Sequence, residues 1–188
     1  MSAKFRVYLK QAFTGRIAAP QADAERGFSL IEVMVAVVIL AVGLLALAGL
    51  QSAALRSTQI SYMRTQAGIV AMEMAERMRA NKTGVDTLQY QAVSSPPAST
   101  APTSCLTNNC LAPAIASYDA YAWTFALANS NDLLSARGTV TCLDSPCVVG
   151  SQHRITVMWD ARRVGATGTG CDPTDSTDLV CHRITVVP

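Results

Sequence analysis

The residue with the clearest chemical potential is Glu32, a lone carboxylate inside an apolar run. The run covers residues 28–50 and holds no other charged residue. As a helix it would be about 34 Å long, enough to cross a hydrocarbon core of about 30 Å. A charge inside a membrane-length segment is costly and therefore indicates function by default. A plain anchor would not need a carboxylate so close to its start.

The segment before this run, residues 1–27, is a basic leader that ends in Gly27. Its charged residues are Lys4, Arg6, Lys10, Arg16 and Arg26 against Asp23 and Glu25, a net charge of +3. Since the whole chain is formally +2, the rest of the chain is at −1. Nothing in that balance favours nucleic-acid binding. Positive flanks stay cytoplasmic, so the C-terminal part is expected in the periplasm.

Two stretches resemble a known family. Residues 27–33, Gly-Phe-Ser-Leu-Ile-Glu-Val, are similar to the class III signal of type IV pilins and pseudopilins. Residues 38–51 resemble more narrowly the PilV-type minor pilins, and the close match covers about residues 26–52. The resemblance implies that prepilin peptidase cleaves after Gly27 and methylates the new N-terminus, Phe28. It also implies that Glu32 pairs with the α-amino group of a neighbouring subunit during assembly.

The same resemblance implies a low-abundance pilin and a set of partners. After anchoring in inner-membrane lipid, it would join a cell-surface pilus with the major pilin, other minor pilins and a candidate tip adhesin. There it would prime assembly at the tip and support twitching motility and adhesion. Two alternatives stay open: an I-type minor pseudopilin of type II secretion, and a signal-anchored periplasmic enzyme or metal-binding domain. No catalytic motif is present, so we expect no enzyme and no cofactor.

The sequence predicts an α+β, pilin-like fold. A helix from Phe28 to about Asn81 is expected, with a membrane-spanning half over residues 28–50 and an amphipathic half over residues 51–83. Apolar residues recur at helical spacing in the second half and form a stripe: Ile60, Met63, Ala67, Val70, Met74 and Met78. Gly84 is expected as a left-handed stop. Residues 84–188 would form the periplasmic head.

Within the head, residues 91–117 are rich in Ser, Pro, Thr and Ala and are expected to be a connector. Strands are expected at residues 121–127, where large residues alternate with small ones, and at residues 137–142. The repeat His-Arg-Ile-Thr-Val at residues 153–157 and 182–186 predicts two further strands of one sheet. A mostly antiparallel sheet would cover the helix stripe.

Six cysteines follow the apolar run: Cys105, Cys110, Cys142, Cys147, Cys171 and Cys181. An even number in an exported domain predicts disulfides, for which 15 connectivities exist. Sequential pairing, which closes loops, is preferred. A zinc site that includes His153 and His182 is the alternative, although the Cys spacing is looser than usual. Asp172, Asp175 and Asp178 in the last loop lack an EF-hand pattern, so a solvated loop is favoured over calcium.

Overall fold

The computed structural model describes residues 27–188, so the predicted leader lies almost entirely outside the described residues. The described residues divide into two compact units, with the boundary between residues 48 and 49. Helix α1 (Leu30–Ala80) begins in the first unit and ends in the second. Its most apolar 18-residue window has a mean hydropathy of 2.9, and none of that window is buried. This helix is long and apolar enough to cross a membrane.

The second half of α1 is amphipathic, as predicted. Its buried residues are Met63, Ala67, Ala71, Met74, Ala75 and Met78. Ile60 and Val70 are partly buried against the same core. The spacing of three and four residues keeps these side chains on one face of the helix. This face carries the helical part of the head's hydrophobic core.

The end of α1 differs from the prediction in one respect. The helix stops at Ala80, and a short helix α2 (Lys82–Asp86) follows directly. The Asn81 side chain caps α2 by accepting a hydrogen bond from the backbone N–H of Gly84 at 3.2 Å. Gly84 is not among the glycines with positive φ, so the predicted left-handed stop is wrong. Its lack of a side chain is needed because a Cβ would collide with the Asn81 amide.

The sheet has four strands, each antiparallel to its neighbours, in the order β1-β2-β3-β4. The strands are β1 (Ala92–Ser94), β2 (Arg137–Cys142), β3 (His153–Trp159) and β4 (Val180–Val186). The predicted strands at residues 137–142, 153–157 and 182–186 are thus confirmed, and the two repeat segments are neighbours. Ile155 and Val157 of β3 are fully buried, whereas Arg154 is exposed. The face with Ile155 and Val157 is therefore apolar, whereas the opposite face of β3 carries Arg154 and Thr156 and also Met158, which is buried against Ala166 and Leu179.

The predicted strand at residues 121–127 is wrong, because this segment belongs to helix α3 (Ala112–Ala128). Ala116, Asp119, Trp123 and Leu127 are buried at spacings of three and four, while Phe125 is 49% exposed. The alternation of large and small residues resembled a strand, but the small residues are mostly Ala, the strongest helix former. The predicted connector over 91–117 is correspondingly shorter, because β1 and the start of α3 lie within it.

One core joins α1, α3 and the inner face of the sheet. Its largest fully buried side chains include Trp123, Trp159, Tyr90, Met74 and Met78. The Trp123 indole N–H donates to the Val70 carbonyl oxygen at 2.9 Å, which connects α3 to α1. Gly138 of β2 lies directly under the Trp123 ring, where any Cβ would collide with it. The observed architecture is the α+β, pilin-like fold that the sequence predicts.

Candidate functional site

The predicted processing site lies immediately before α1. Gly27 and Phe28 are in non-helical backbone, and the first helix hydrogen bonds run to the Ser29 carbonyl oxygen from the N–H groups of Glu32 (2.9 Å) and Val33 (3.3 Å). Phe28 is 82% exposed, and a Cβ added to Gly27 would meet nothing within 4 Å. The peptide bond after Gly27 is thus outside regular helix and is open to approach by another protein.

Glu32 occupies the first turn of α1 and is exposed. A carboxylate there is favoured by the partial positive charge of the helix N-terminus. Within residues 27–188, Glu32 has no salt-bridge partner. Gly27, Phe28 and Glu32 are therefore grouped at one end of α1, and the carboxylate is available to a cation from outside the described chain.

The structure contains three disulfides, each joining a cysteine to the next one in sequence. They are Cys105–Cys110, Cys142–Cys147 and Cys171–Cys181, with Cα–Cα distances of 5.6, 6.1 and 5.6 Å. All six cysteines lie among the described residues, and none of them is free. The bridges close a loop before α3, the turn between β2 and β3, and the loop between β3 and β4.

The zinc alternative loses its sulfur ligands in this arrangement. Cys142, Cys147 and His153 have ligand atoms within 4.8 Å of one another. However, both sulfur atoms belong to one disulfide, and a metal is bound by thiolates. His182 does not join this group, since it pairs with Val157 in the sheet register, four residues along from His153.

Two Asp residues of the last loop accept hydrogen bonds from residues of the same loop. Asp172 Oδ1 accepts hydrogen bonds from the N–H and the hydroxyl of Thr174 at 2.8 and 2.6 Å. Asp175 accepts the equivalent pair from Thr177 at 2.8 and 2.7 Å. The hydroxyl and the N–H of Thr174 lower the pKa of Asp172, and the N–H and the hydroxyl of Thr177 lower that of Asp175. These carboxylates therefore stabilise the fold of the loop, and the preference for a solvated loop over a calcium site stays a prediction.

A buried polar network that the sequence analysis missed connects α1, α3 and the segment before β1. Asp119 of α3 is 7% exposed and accepts hydrogen bonds from the Tyr90 hydroxyl at 2.6 Å and from Arg77 Nη1 at 3.1 Å. The Asn81 amide donates to the Tyr90 hydroxyl at 3.0 Å and to the Ala112 carbonyl at 2.8 Å. Burial, and then the bond to Asp119, raises the pKa of Tyr90 well above its usual value. The polar groups therefore fix α3 against the end of α1.

A second buried carboxylate, Asp160, follows β3 and holds the next loop. It is 2% exposed, and its Oδ2 accepts from the N–H groups of Gly165 at 2.8 Å and Ala166 at 3.3 Å. Burial alone would raise the pKa of Asp160, but backbone N–H groups of the loop outweigh it and lower the pKa. Gly165 has a φ of +78°, which suits glycine. Asp160 thus fixes the loop that carries Arg162 and Arg163.

These two arginines border a cleft that the sequence analysis also missed. The cleft lies between the second half of α1 and the Cys171–Cys181 loop and has a volume of about 720 Å³. Five arginines line it: Arg56, Arg64, Arg162, Arg163 and Arg183. They come from three separate stretches of the sequence, so no local pattern signals the whole cluster, although the adjacent pair Arg162-Arg163 is a partial hint.

Two family models match the chain. A model described as the prokaryotic N-terminal methylation motif matches residues 23–48, and a model described as type IV pilin Tt1218 matches residues 49–121. The matches adjoin and together run from the end of the predicted leader into α3. Comparison with curated proteins and with solved structures gave no significant match. The motif covers Gly27, Phe28 and Glu32, and the pilin match covers the amphipathic helix. The chain is a type IV pilin that carries the N-terminal methylation motif.

Proposed function

We propose that this pilin is a minor, low-abundance subunit of the type IV pilus. Prepilin peptidase would cleave it after Gly27 and methylate Phe28. The mature chain would leave the inner membrane and enter a surface filament, help to prime assembly at the tip, and support twitching motility and adhesion. Other minor pilins, the major pilin and a tip adhesin would be its partners.

The observation that carries this proposal is the arrangement at the start of α1. A glycine and an exposed aromatic residue precede the helix, and a carboxylate without a partner in residues 27–188 lies in its first turn. The methylation motif matches this same segment and implies processing by prepilin peptidase. The exposed apolar surface of the helix supports insertion into lipid first and packing among other helices later.

The assembly role of Glu32 follows from electrostatics. A carboxylate and an ammonium group attract each other far more strongly in a low-dielectric setting than in water. Each group is costly there without the other, so their pairing would favour the correct axial register of a new subunit. Head-to-tail contacts of this kind produce open helical filaments.

Mass spectrometry of the N-terminal peptide tests the processing step. Wild-type chain would be compared with Gly27→Val and with the matched control Gly43→Val, which places the same side chain on exposed α1 where a Cβ meets nothing within 4 Å. We expect N-methylated Phe28 in wild type and control, and an uncleaved leader in Gly27→Val. A wild-type chain that keeps its leader in cells with active prepilin peptidase would contradict the proposal.

A second measurement separates the pilus from type II secretion. The mature chain is sought in sheared surface filaments and in inner membranes, for wild type and for Glu32→Gln. We expect wild type in both fractions and a filament content at least tenfold lower for Glu32→Gln, with processing unchanged. Mature wild-type chain confined to membranes, even when pili are enriched, would instead favour the I-type pseudopilin.

A further inference from the structure

The turn between β2 and β3 brings three side chains that can bind a metal close together. Cys142 ends β2, His153 begins β3, and the two residues are direct partners in the antiparallel register. Cys147 lies in the turn that joins the two strands. The ligand atoms of all three residues lie within 4.8 Å of one another. Within residues 27–188, no second group of three Cys, His, Asp or Glu ligands has such a spacing.

His153 has a ring nitrogen without a partner, which itself points to a ligand. The side chain is buried, with 1% exposure, and its Nδ1 lies 3.1 Å from the Ser151 carbonyl oxygen. A carbonyl oxygen can only accept a hydrogen bond, so Nδ1 carries the proton and Nε2 is unprotonated. Nε2 has no hydrogen-bond partner in the described part of the chain. A histidine whose Nδ1–H is fixed by a backbone carbonyl presents Nε2 as a metal ligand.

Hydrogen bonds hold this turn independently of the Cys142–Cys147 disulfide. The Leu143 N–H donates to the Gln152 carbonyl oxygen at 2.8 Å, where the two strands end. The N–H of Val148 donates to the Ser151 hydroxyl oxygen at 2.9 Å, and the Ser151 N–H donates back to the Val148 carbonyl oxygen at 3.0 Å. The three candidate ligands are therefore expected to stay near one another when the bridge is open.

We propose that the dithiol form of this turn binds one Zn²⁺ ion through the two Cys thiolates and Nε2 of His153. Tetrahedral Zn²⁺ binds sulfur at about 2.3 Å and His nitrogen at about 2.0–2.1 Å, so its ligand atoms lie about 3.5–3.8 Å apart. Reduction lets the two sulfur atoms separate to this distance. A shift of about 1 Å in the turn brings the nitrogen and the sulfur atoms to it. Water completes the fourth position.

Thiol–disulfide exchange opens and closes the site. A dithiol reductant transfers two electrons and two protons to the Cys142–Cys147 bridge and becomes a disulfide itself. Binding of Zn²⁺ then releases these two protons, because only thiolates are ligands. In the reverse direction, a disulfide oxidant takes two electrons from the zinc-bound thiolates and leaves as two thiolates, while Zn²⁺ is released. The site therefore exists before the bridge forms or after it has been reduced.

The test is metal binding by the full chain in nonionic detergent, with the disulfides either intact or reduced by a phosphine. A phosphine is used because it adds no thiol that competes for the metal. Zn²⁺ is titrated in competition with a chromophoric chelator. We expect the reduced chain to bind one Zn²⁺ at least a hundredfold more tightly than the oxidised chain. Co²⁺ in place of Zn²⁺ should give a thiolate-to-metal charge-transfer band in the reduced chain alone.

Matched cysteine variants separate this site from the other thiols. Cys142→Ser/Cys147→Ser should abolish the charge-transfer band. Cys105→Ser/Cys110→Ser removes a pair with the same sequence separation of 5 and should leave Zn²⁺ affinity within twofold of the wild-type value. Circular dichroism confirms that both variants are folded. A band that survives the first variant, or that disappears in the second variant alone, would overturn the proposal.

The two histidines give a second matched pair, since they occupy equivalent positions of the sequence repeat. His153→Gln should weaken Zn²⁺ binding by the reduced chain at least tenfold, because it removes the nitrogen ligand. His182→Gln should change the affinity by less than twofold, because His182 lies outside the group. Equal losses of affinity in the two variants would exclude Nε2 of His153 as the ligand.

Alkylation of the wild-type chain tests the site without any variant. The reduced chain is treated with iodoacetamide with and without Zn²⁺, and mass spectrometry measures the modification of each cysteine. We expect Zn²⁺ to protect Cys142 and Cys147 and to leave the other four cysteines reactive. Equal protection of all six thiols, or protection of none, would overturn the assignment. The result depends on neither leader cleavage nor entry into pili, so it is independent of the proposed function.

Discussion

Residues 28–48 and the stripe on the second half of α1 are both largely apolar, yet they differ in burial. The large apolar side chains of residues 28–48 are 51–82% exposed, whereas Met74 and Met78 are completely buried. The stripe finds its contacts within its own chain. Within residues 27–188 the N-terminal stretch has no such contacts, and an exposed apolar surface of this size suits lipid or other helices. An apolar residue type alone therefore does not predict how much a side chain contributes to the stability of the head. The contribution depends on whether the side chain packs against the head's own core.

The largest expected effect applies the same contrast between buried and exposed apolar side chains to two aromatic residues of α3. Trp123→Ala should destabilise the head by about 4 kcal/mol, because it removes a fully buried ring and its hydrogen bond to Val70. Phe125→Ala should cost about 1 kcal/mol or less, since that ring is half exposed and stacks on Tyr121. Urea unfolding followed by far-UV circular dichroism measures both. Similar losses for the two variants would restore the strand interpretation of residues 121–127.

The next test compares the two regions directly. Met74→Ala should lower the free energy of unfolding by about 3 kcal/mol, because it leaves a cavity in the core. Ile39→Ala removes a side chain that is 68% exposed and should change head stability by less than about 0.5 kcal/mol. Fluorescence of the chain's two tryptophans, both in the head, follows unfolding in detergent. A comparable effect of Ile39→Ala would mean that the N-terminal stretch has contacts within the chain.

The same division explains which parts of the molecule could be predicted. Helix α1 and strands β2–β4 carry long periodic patterns, so their positions could be predicted from the sequence alone. The contiguous motif at the start of α1 likewise indicates the family without a structure. Helix α3 was misassigned because alternation between aromatic residues and Ala fits two periods, and tertiary burial of Asp119 and Trp123 decides between them. The Asp119 network and the arginine cleft depend on residues distant in sequence. Such convergence leaves no local signal.

The third prediction concerns that Asp119 network. Asp119→Asn should destabilise the head by about 2 kcal/mol, because it removes the buried negative charge that faces Arg77 and leaves one acceptor oxygen for two donors, Arg77 and the Tyr90 hydroxyl. Asp132→Asn is the control: Asp132 is exposed and accepts one bond of 3.2 Å from Tyr62. Its effect should stay below about 0.5 kcal/mol. Equal effects in chemical denaturation would show that the buried network does not hold α3 to α1.

The smallest expected effect is a pH dependence that arises at Asp160. Its pKa is lowered from 3.8 in the folded state, so its contribution to stability is complete above pH 3.8 and disappears as the pH falls through the folded pKa. Asp160→Asn should therefore flatten the stability profile below about pH 4. Asp172→Asn is the control, because its lowered pKa belongs to an exposed carboxylate that solvent screens, and it should change the profile less. Thermal unfolding from pH 2.5 to 6 measures the three profiles. If Asp160→Asn and wild type had the same slope in acid, the loop that carries Arg162 and Arg163 would not depend on this carboxylate, and the rigidity of the cleft would need another source.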